Sequence, residues 1–410
     1  MKDLAFILKG RTFCRSLGPL IYFSNKCGIK PIILYLEERP GKPYDSLGDG
    51  EFFKKTRIVK ESLSDFQIVK CKDEKEIIDV LKALKVENVC CQDGQSHHQD
   101  IVKDGSFKVF SISAFFDTIH NTRESKKLQN IPFKTYFPNS MLENLFKQKS
   151  GLYDINCASL GSPWFDHSLF VKTHERDFRT VLFLCPDHRS IKQCFFDEIS
   201  DFSKYCNQNN IKFLYKERVK APWPINIPGA SAKIHQETGF PYSSIQILMN
   251  TDIHITSYGT SIFESLFLEK PAINLEIDED GDWTKLILKE LEPLIVKEGY
   301  DNAPINQAKG ANLNGVDYSS KYLIKNNLST IGDLLRHQYA IKTFGLNHEV
   351  KKLQLDELYN NEKCTTISKN LIESFEEINP KIDVTDPNKV SVTFEDNNSI
   401  KILEDILREI

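Results

Sequence analysis

The chain has 410 residues, of which 40% are hydrophobic and 27% charged, so it has a globular composition and is too long for one ordinary core. Its 53 basic and 57 acidic residues give a formal net charge of -4, which gives no support for a nucleic acid polymer as a partner. No apolar stretch approaches the roughly 20 residues that a bilayer-spanning helix requires.

The ten cysteines form no recognisable disulfide or metal-binding pattern. They are scattered along the chain, no CxxC spacing occurs, and the adjacent pair Cys90-Cys91 cannot form a normal metal knuckle. The first ten residues, MKDLAFILKG, lack the pattern of a secretory signal. We therefore predict structural thiols in a cytoplasmic protein, and the sequence leaves open peripheral contact with the inner face of a membrane.

Apolar runs alternate with helical patterns through the first half of the chain. Predicted strands cover residues 3–8, 30–36, 66–70, 86–91, 107–112, 134–138 and 155–160. Predicted helices cover residues 15–26, 74–84 and 140–148. Strands that alternate with helices predict a parallel sheet with helices on both faces.

The same alternation returns after a polar stretch near residues 168–178. Predicted strands cover 180–185, 211–215 and 253–256, and predicted helices cover 191–207, 242–250, 329–344 and 399–410. Residues 301–328 are predicted to form a loop, and VSVTF at 390–394 is strand-like. We expect an α/β protein with a Rossmann-like domain over 1–172, a second over 173–345, and an extension of unclear role over 346–410.

The segment DIHITSYGTSIFESLFLEKPAINL, residues 252–275, predicts a strand, a small-residue turn, a helix and a second strand. The first N–H groups of such a helix lack intrahelical partners, and its dipole favours negative charge, so the turn is suited to hold phosphate. Glu264, one helical turn further on, suits a ribose hydroxyl. The alternative is a plain βαβ unit with a capped helix. The predicted phosphate-binding residues are Ser257, Gly259, Thr260 and Ser261.

Basic side chains follow two other strands of the second half. Arg189 comes soon after the strand that ends near Cys185, and Lys216 and Arg218 follow the strand that ends at Tyr215. A cation beside a diphosphate stabilises the charge that develops as the phosphate leaves. We predict that at least one of the three contacts a phosphate; the alternative is a solvated surface.

Polar loops also follow the strands of the first half. Lys9-Gly10-Arg11-Thr12 could meet an anionic or hydroxyl-rich ligand, or could be a solvated turn. Asp93 and His97 lie in a loop that predicts either site lining or surface, while the adjacent His97-His98 would bind a metal only with unusual geometry. We predict a role in ligand binding for Arg11, Asp93 and His97.

Asp117 and His120 are the candidate catalytic pair. If the segment SAFFDTIHNTRE is helical, these two residues and Arg123 share one face. A carboxylate beside a histidine orients the ring and raises its pKa, as a general base requires. The alternative is a row of surface ion pairs.

Three segments together resemble the GT-B enzymes, in particular CDP-glycerol glycerophosphotransferases and capsule or lipopolysaccharide glycosyltransferases, and more distantly UDP-N-acetylglucosamine 2-epimerases. The first is the segment 252–275, which holds the turn after Thr256, and the second is the overlapping run SIQILMNTDIHITSYGTS, which begins before it. The third is a Gly-x-Pro-x-x-Asp turn made by Gly161, Pro163 and Asp166. The chain departs from the glycerophosphotransferases because YKERVKAPWP lacks their histidine-proline turn and His120 precedes Asn121. It also lacks the paired glycines of the epimerases, since Thr260 follows Gly259.

The resemblance implies a GT-B fold, in which two Rossmann-like parallel-sheet domains face a central cleft. It implies a glycosyltransferase that takes a nucleotide-sugar donor in the second domain and a glycan or lipid-linked acceptor in the first, in surface polysaccharide biosynthesis. It implies no cofactor and no tightly bound metal. A glycerophosphotransferase, a nucleotide-sugar 2-epimerase and a non-catalytic nucleotide-sugar-binding protein remain the alternatives.

Overall fold

The structure is a computed structural model of the chain. The residues that it describes are 1–37, 46–48, 66–113, 130–138, 143, 146–147, 151–170, 179–185, 193–217, 226–234, 245–256, 264, 272–277, 311–313, 316–318, 350–355, 372, 376 and 397–410.

The chain divides into two compact units. Unit 1 comprises Met1–Val171, Glu237–Gln246 and Ser391–Ile410, and unit 2 comprises Lys172–Gln236 and Ile247–Val390. The sequence prediction separated an extension over 346–410 from both domains. The structure instead divides that segment between the two units, and its last residues return to unit 1.

Unit 1 is built on a seven-stranded parallel sheet in the order β3-β2-β1-β4-β5-β6-β7. The predicted strands are all present, with ends that differ by a few residues. Their bounds are Lys2–Leu8 (β1), Ile29–Leu36 (β2), Gln67–Cys71 (β3), Asn88–Gln92 (β4), Lys108–Ile112 (β5), Lys134–Phe137 (β6) and Cys157–Ser159 (β7).

Among the described residues, helices between these strands include Cys14–Ser24 (α1), Glu74–Ala83 (α2), Gly94–His97 (α3) and Gln99–Asp104 (α4). Helix α2 begins where the sequence predicts because Asp73 caps it, with its carboxylate accepting from Glu76 N at 2.8 Å. Ile77 and Leu81, four residues apart, share its buried face.

Side chains of the central strand β1 alternate between two cores. Leu4, Phe6 and Leu8 pack against α1 on one face of the sheet. Ala5 and Ile7 pack on the other face, against buried residues of α2 and α4. Both faces are therefore covered, which is why β1 reads as one continuous apolar run.

Unit 2 repeats this architecture with a six-stranded parallel sheet in the order β10-β9-β8-β11-β12-β15. Its strands are Thr180–Leu184 (β8), Lys212–Lys216 (β9), Ala232–Lys233 (β10), Ile253–Thr256 (β11), Ala272–Ile277 (β12) and Val350–Leu355 (β15). Helix α5, Gln193–Gln208, packs Phe202 against Phe213 of β9 at a centroid distance of 5.8 Å. The short helix α6, Ile245–Leu248, precedes β11 in the chain, and the division into units falls between its second and third residues.

Unit 2 contains strands that the sequence analysis did not predict, and the two-residue strand β10 is one of them. The predicted loop 301–328 contains an antiparallel pair, Ala311–Leu313 (β13) and Val316–Tyr318 (β14). Strand β15 was not predicted, because its sequence VKKLQL is too polar at its start to form an apolar run. The predicted helix 329–344 and the strand-like VSVTF lie outside the described residues.

The last helix, Asn398–Glu409 (α7), is part of the unit 1 core. Its apolar face, formed by Ile402, Leu403 and Ile406, is fully buried in the cluster that contains Leu4 and Phe6. This packing gives the final helix a structural role that sequence analysis did not assign. The match between its amphipathic pattern and one face of the sheet explains the docking.

When the six strands of the unit 2 sheet are numbered in chain order, their order in the sheet is 3-2-1-4-5-6. The first six strands of unit 1 have the same order, and β7 follows them at the edge. This is the doubly wound Rossmann order, and the α/β class with two Rossmann-like parallel sheets is confirmed. In the part of the chain that the structure describes, no helix is both long and apolar enough to cross a bilayer.

Candidate functional site

The strand order reverses between β1 and β4 in unit 1 and between β8 and β11 in unit 2. In sheets of this kind the loops after the two central strands leave in opposite directions and open a crevice at the carboxyl ends, where ligands bind. Each sheet therefore has one place where a site is expected on topology alone.

The predicted acceptor residues all belong to the loops after β1 and β4. Arg11 lies in a 3-10 turn after β1, and its Nε donates a hydrogen bond to Ser46 O at 2.6 Å. His97 ends α3 and packs edge-on against Phe13 with a centroid distance of 5.7 Å. The topology thus brings Arg11 and His97 to the same end of neighbouring strands.

Asp93 lies at the same edge but is fully buried. Its backbone is left-handed (φ 50°), its N–H donates to Ile112 O at 2.9 Å, and Gln92 Nε2 donates to Asp93 Oδ2 at 3.2 Å. Aspartate tolerates this backbone conformation better than most residues. Asp93 therefore fixes the turn that carries α3, whether or not it also contacts a ligand.

Lys9, Glu74 and His98 also meet at this edge. Sequence reasoning placed Lys9 and His98 in candidate loops without assigning either a binding role, and it missed Glu74. Lys9 Nζ lies 2.8 Å from Glu74 Oε2 and also donates to the backbone carbonyl of His97. His98 Nδ1 lies 3.9 Å from Glu74 Oε1. The only signal in the sequence was their position, since Lys9 follows β1, Glu74 opens α2 and His98 follows α3.

His98 is fully buried in this cluster. Burial lowers the pKa of its imidazole well below the ordinary value, and the nearby Lys9 and His97 lower it further. The ring is therefore neutral at physiological pH, with one nitrogen carrying a proton and the other able to accept one.

The predicted catalytic residues Asp117 and His120 lie outside the described residues. So do the predicted donor residues Ser257, Gly259, Thr260, Ser261, Arg189 and Arg218. These assignments remain predictions.

Two predicted donor residues, Lys216 and Glu264, are described. Lys216 ends β9 and is half-buried, and its carbonyl accepts from Cys185 N at 2.9 Å, just beyond β8. It therefore lies at the carboxyl edge of the unit 2 sheet, one strand away from the place between β8 and β11 where the strand order reverses. Glu264 is helical and only 2% exposed.

Asp252, the aspartate that precedes β11, lies at the other end of that strand. Its N–H donates to Thr180 O at 2.9 Å and its Oδ2 accepts from Thr180 N at 2.7 Å. These two bonds pin the start of β11 to the start of β8. Asp252 therefore supports the sheet at the end of β11 opposite to Thr256.

The Gly-x-Pro-x-x-Asp turn has a structural role in this chain. Asp166 is buried and accepts from Ser399 N at 2.7 Å and Ser399 Oγ at 2.5 Å. Gly161 has φ 94° and lies against the Asn398 side chain. The turn thus holds the start of α7. Among the residues described, no group of three or more His, Cys, Asp or Glu side chains is arranged to hold a metal ion.

No protein-family model matches the chain, and no curated protein sequence matches it. Solved structures that resemble it include the UDP-GlcNAc 2-epimerase of Neisseria meningitidis bound to UDP-GlcNAc, at 14% identity and a TM-score of 0.45, covering 92% of this chain and 100% of that one. The wall teichoic acid polymerase TagF is 11% identical with a TM-score of 0.44, covering 92% and 90%.

A kitacinnamycin glycosyltransferase structure is 10% identical with a TM-score of 0.41, covering 82% of this chain and 99% of that one. These neighbours belong to the group of GT-B glycosyltransferases and nucleotide-sugar 2-epimerases that the sequence resembles. At such identities the likeness concerns the fold and says nothing of the reaction, and the fold class itself follows from the strand pairing.

Proposed function

We propose that the chain is a glycosyltransferase that moves a sugar from a nucleotide-sugar donor to a glycan or lipid-linked acceptor in surface polysaccharide biosynthesis. The observation that supports the proposal is the strand order of the unit 2 sheet, which reverses between β8 and β11. Residues 257–261, which the sequence predicts to form a small-residue turn, follow β11 directly in the chain, after the end of the strand where ligands bind in such sheets.

The donor's phosphates would lie against Gly259, Thr260 and Ser261, where backbone N–H groups at a helix start can bind them. The Glu264 carboxylate would accept hydrogen bonds from the ribose hydroxyls. Lys216, whose place at the carboxyl edge of β9 suits a phosphate contact, would act with Arg189 and Arg218.

The acceptor hydroxyl oxygen would attack the anomeric carbon of the donor sugar, and the bond from that carbon to the phosphate oxygen would break. The nucleotide leaves with the bonding electron pair, and its charge is stabilised by the basic side chains and the helix start rather than by a metal ion. The hydroxyl proton passes to Asp117 or His120.

A thermal-shift screen with CMP-, CDP-, UDP-, GDP- and dTDP-linked ligands, followed by mass spectrometry of the products, tests this proposal. We expect one nucleotide class to raise the melting temperature and its sugar to be transferred to an acceptor. Transfer of glycerol phosphate from CDP-glycerol, epimerisation of a UDP-sugar, or binding without turnover would each contradict it. Gly259→Val and Glu264→Ala should both reduce transfer, and full activity in both variants would remove the nucleotide site from the 257–264 segment.

A further inference from the structure

The cluster of Lys9, Glu74 and His98 has polar groups that the fold itself does not use. An ammonium has three N–H donors. Lys9 uses two of them, one on Glu74 Oε2 and one on the His97 carbonyl. Within the described part of unit 1 its third donor has no partner, and the side chain is 18% exposed.

The other side of the cluster is enclosed. Glu74 Oε1 and both ring nitrogens of His98 are buried, and none of them has a hydrogen-bond partner among the described residues. The Glu74 side chain is nevertheless 17% exposed. Since Oε1 is covered, the exposed surface of Glu74 belongs to its other side-chain atoms, among which Oε2 is the partner of Lys9.

Charge decides what this pair can bind. Glu74 lies 2.8 Å from Lys9 and neutralises it, and the imidazole of His98 is uncharged. A phosphate or carboxylate would approach Lys9 only against the repulsion of the Glu74 carboxylate. A hydroxyl group meets no such penalty, because it accepts from the ammonium and donates to the carboxylate at once.

We propose that Lys9 and Glu74 bind hydroxyl groups of a neutral carbohydrate, and that His98 is a positioning residue whose Nδ1–H attracts Glu74 Oε1 electrostatically across 3.9 Å, a separation longer than a hydrogen bond. The carbohydrate would be the acceptor of the proposed glycosyl transfer, and that part of the inference rests on the proposed function. The proposal resolves the open choice at Lys9-Gly10-Arg11 in favour of a hydroxyl-rich rather than an anionic ligand.

Saturation-transfer NMR on the full chain tests this binding. The probes are the methyl glycosides of glucose, galactose, mannose and N-acetylglucosamine, each paired with the corresponding sugar 6-phosphate. We expect at least one glycoside to bind more tightly than its phosphate. Glu74→Gln should reverse this preference by roughly tenfold, because it removes a charged acceptor and leaves the Lys9 charge uncompensated.

Asp104→Asn is the matched control. Asp104 pairs with Lys82 at the same distance of 2.8 Å in the same unit, so this variant makes the same change from carboxylate to amide at another ion pair. Asp104→Asn should change neither the affinity for the glycoside nor the affinity for the sugar phosphate. Lys9→Met provides a second variant if Glu74→Gln does not fold, and should weaken glycoside binding without favouring the phosphate.

The role of His98 is tested by two replacements. His98→Phe keeps a buried ring but no nitrogen, whereas His98→Asn keeps an N–H near the place of Nδ1. We expect Asn to retain more glycoside affinity than Phe, and the opposite order would show that the ring only fills space.

Two results would overturn the proposal: no glycoside binds the parent chain, or Glu74→Gln leaves the preference unchanged. Nucleotide-sugar binding, measured separately by thermal shift, should be the same in Glu74→Gln and the parent. Loss of nucleotide binding in every form would contradict the proposed function and leave the glycoside result standing.

Discussion

Asp166 and Ser399, 233 residues apart, form the contact that ties the end of the chain to unit 1. The Asp166 Oδ2 atom accepts from both the backbone N–H and the hydroxyl of Ser399, at 2.7 and 2.5 Å. Asn397 Oδ1 also accepts from Ser399 N, at 2.8 Å. The first turn of α7 is therefore capped twice, once by its own N-cap residue and once by the Gly-x-Pro-x-x-Asp turn.

Asp166→Ala should loosen α7. It leaves the buried Ser399 hydroxyl without its acceptor and removes one of the two acceptors of Ser399 N, which costs roughly 2 kcal/mol. Hydrogen exchange by mass spectrometry should show faster exchange of the α7 amides, by about 30-fold at a loss of 2 kcal/mol. Asp154→Ala, at an exposed position of the same unit, is the control. Unchanged α7 protection in Asp166→Ala would show that apolar packing alone holds the helix.

Asp166 should also make stability depend on pH in the direction opposite to most aspartates. Burial raises the pKa of Asp166 from 3.8 to about 7, although hydrogen bonds from Ser399 and Asn398 partly offset this. Between these two values the folded state holds a proton that the unfolded state has lost. The contribution of Asp166 is therefore fully present below about pH 4 and is lost as pH rises towards 7.

The measurement compares the parent chain with Asp166→Asn in urea unfolding from pH 4.5 to 7.5. The amide is isosteric and does not titrate, and the other groups cancel in the difference. We expect the parent to lose stability relative to Asp166→Asn as pH rises. A difference that stays constant, or that moves the other way, would contradict the raised pKa.

Gly161→Ala should lower the free energy of unfolding more than Gly151→Ala does. Both glycines have positive φ, 94° and 74°, so both substitutions carry backbone strain of about 1 kcal/mol. A Cβ at Gly151 meets nothing within 4 Å, whereas one at Gly161 would overlap the amide of Asn398. Unfolding in urea should therefore show a larger loss of stability for Gly161→Ala, because the Asn398 side chain must give up its hydrogen bond to Ser162 O to make room. Equal losses would show that this side chain moves aside without cost.

Lys134→Met should destabilise the other end of α7. Lys134 is 9% exposed and lies 2.7 Å from Asp405 and 2.9 Å from Glu409, so its removal leaves two carboxylates without their cation. Because the two carboxylates are 19% and 32% exposed, the cost should lie between those of exposed and buried pairs, at about 2 kcal/mol. Lys204→Met removes a pair with Asp201 that is more than half exposed and should cost less than about 1 kcal/mol. Similar losses in the two variants would contradict this assignment.

Local sequence was sufficient for most of the fold. Strand β1 and helix α2 were predictable because an apolar run and an aspartate cap each act within a few residues. The docking of α7 was not, because an amphipathic pattern shows that a helix buries one face but not against which partner. Strand β15 was missed because it is an edge strand with an incomplete apolar pattern.

The candidate site was less predictable than the fold. That Arg11 and His97 share one edge followed from their places after two strands. The pairing of Lys9 with Glu74, 65 residues away, could not be read from spacing, because it depends on how α2 lies on the sheet. From the sequence, Asp252 is only the residue before a predicted strand, and its hydrogen bonds with Thr180 show its supporting role.

The most direct test of the nucleotide-sugar proposal is calorimetric titration of the nucleoside diphosphate selected by the screen, alongside its 2′,3′-dideoxy analogue. For Glu264→Ala we predict about tenfold weaker binding of the ribonucleotide, because a hydrogen bond to a carboxylate is lost, and unchanged binding of the analogue. Unweakened ribonucleotide binding, or an equal loss for both ligands, would contradict the placement of the donor's ribose at Glu264.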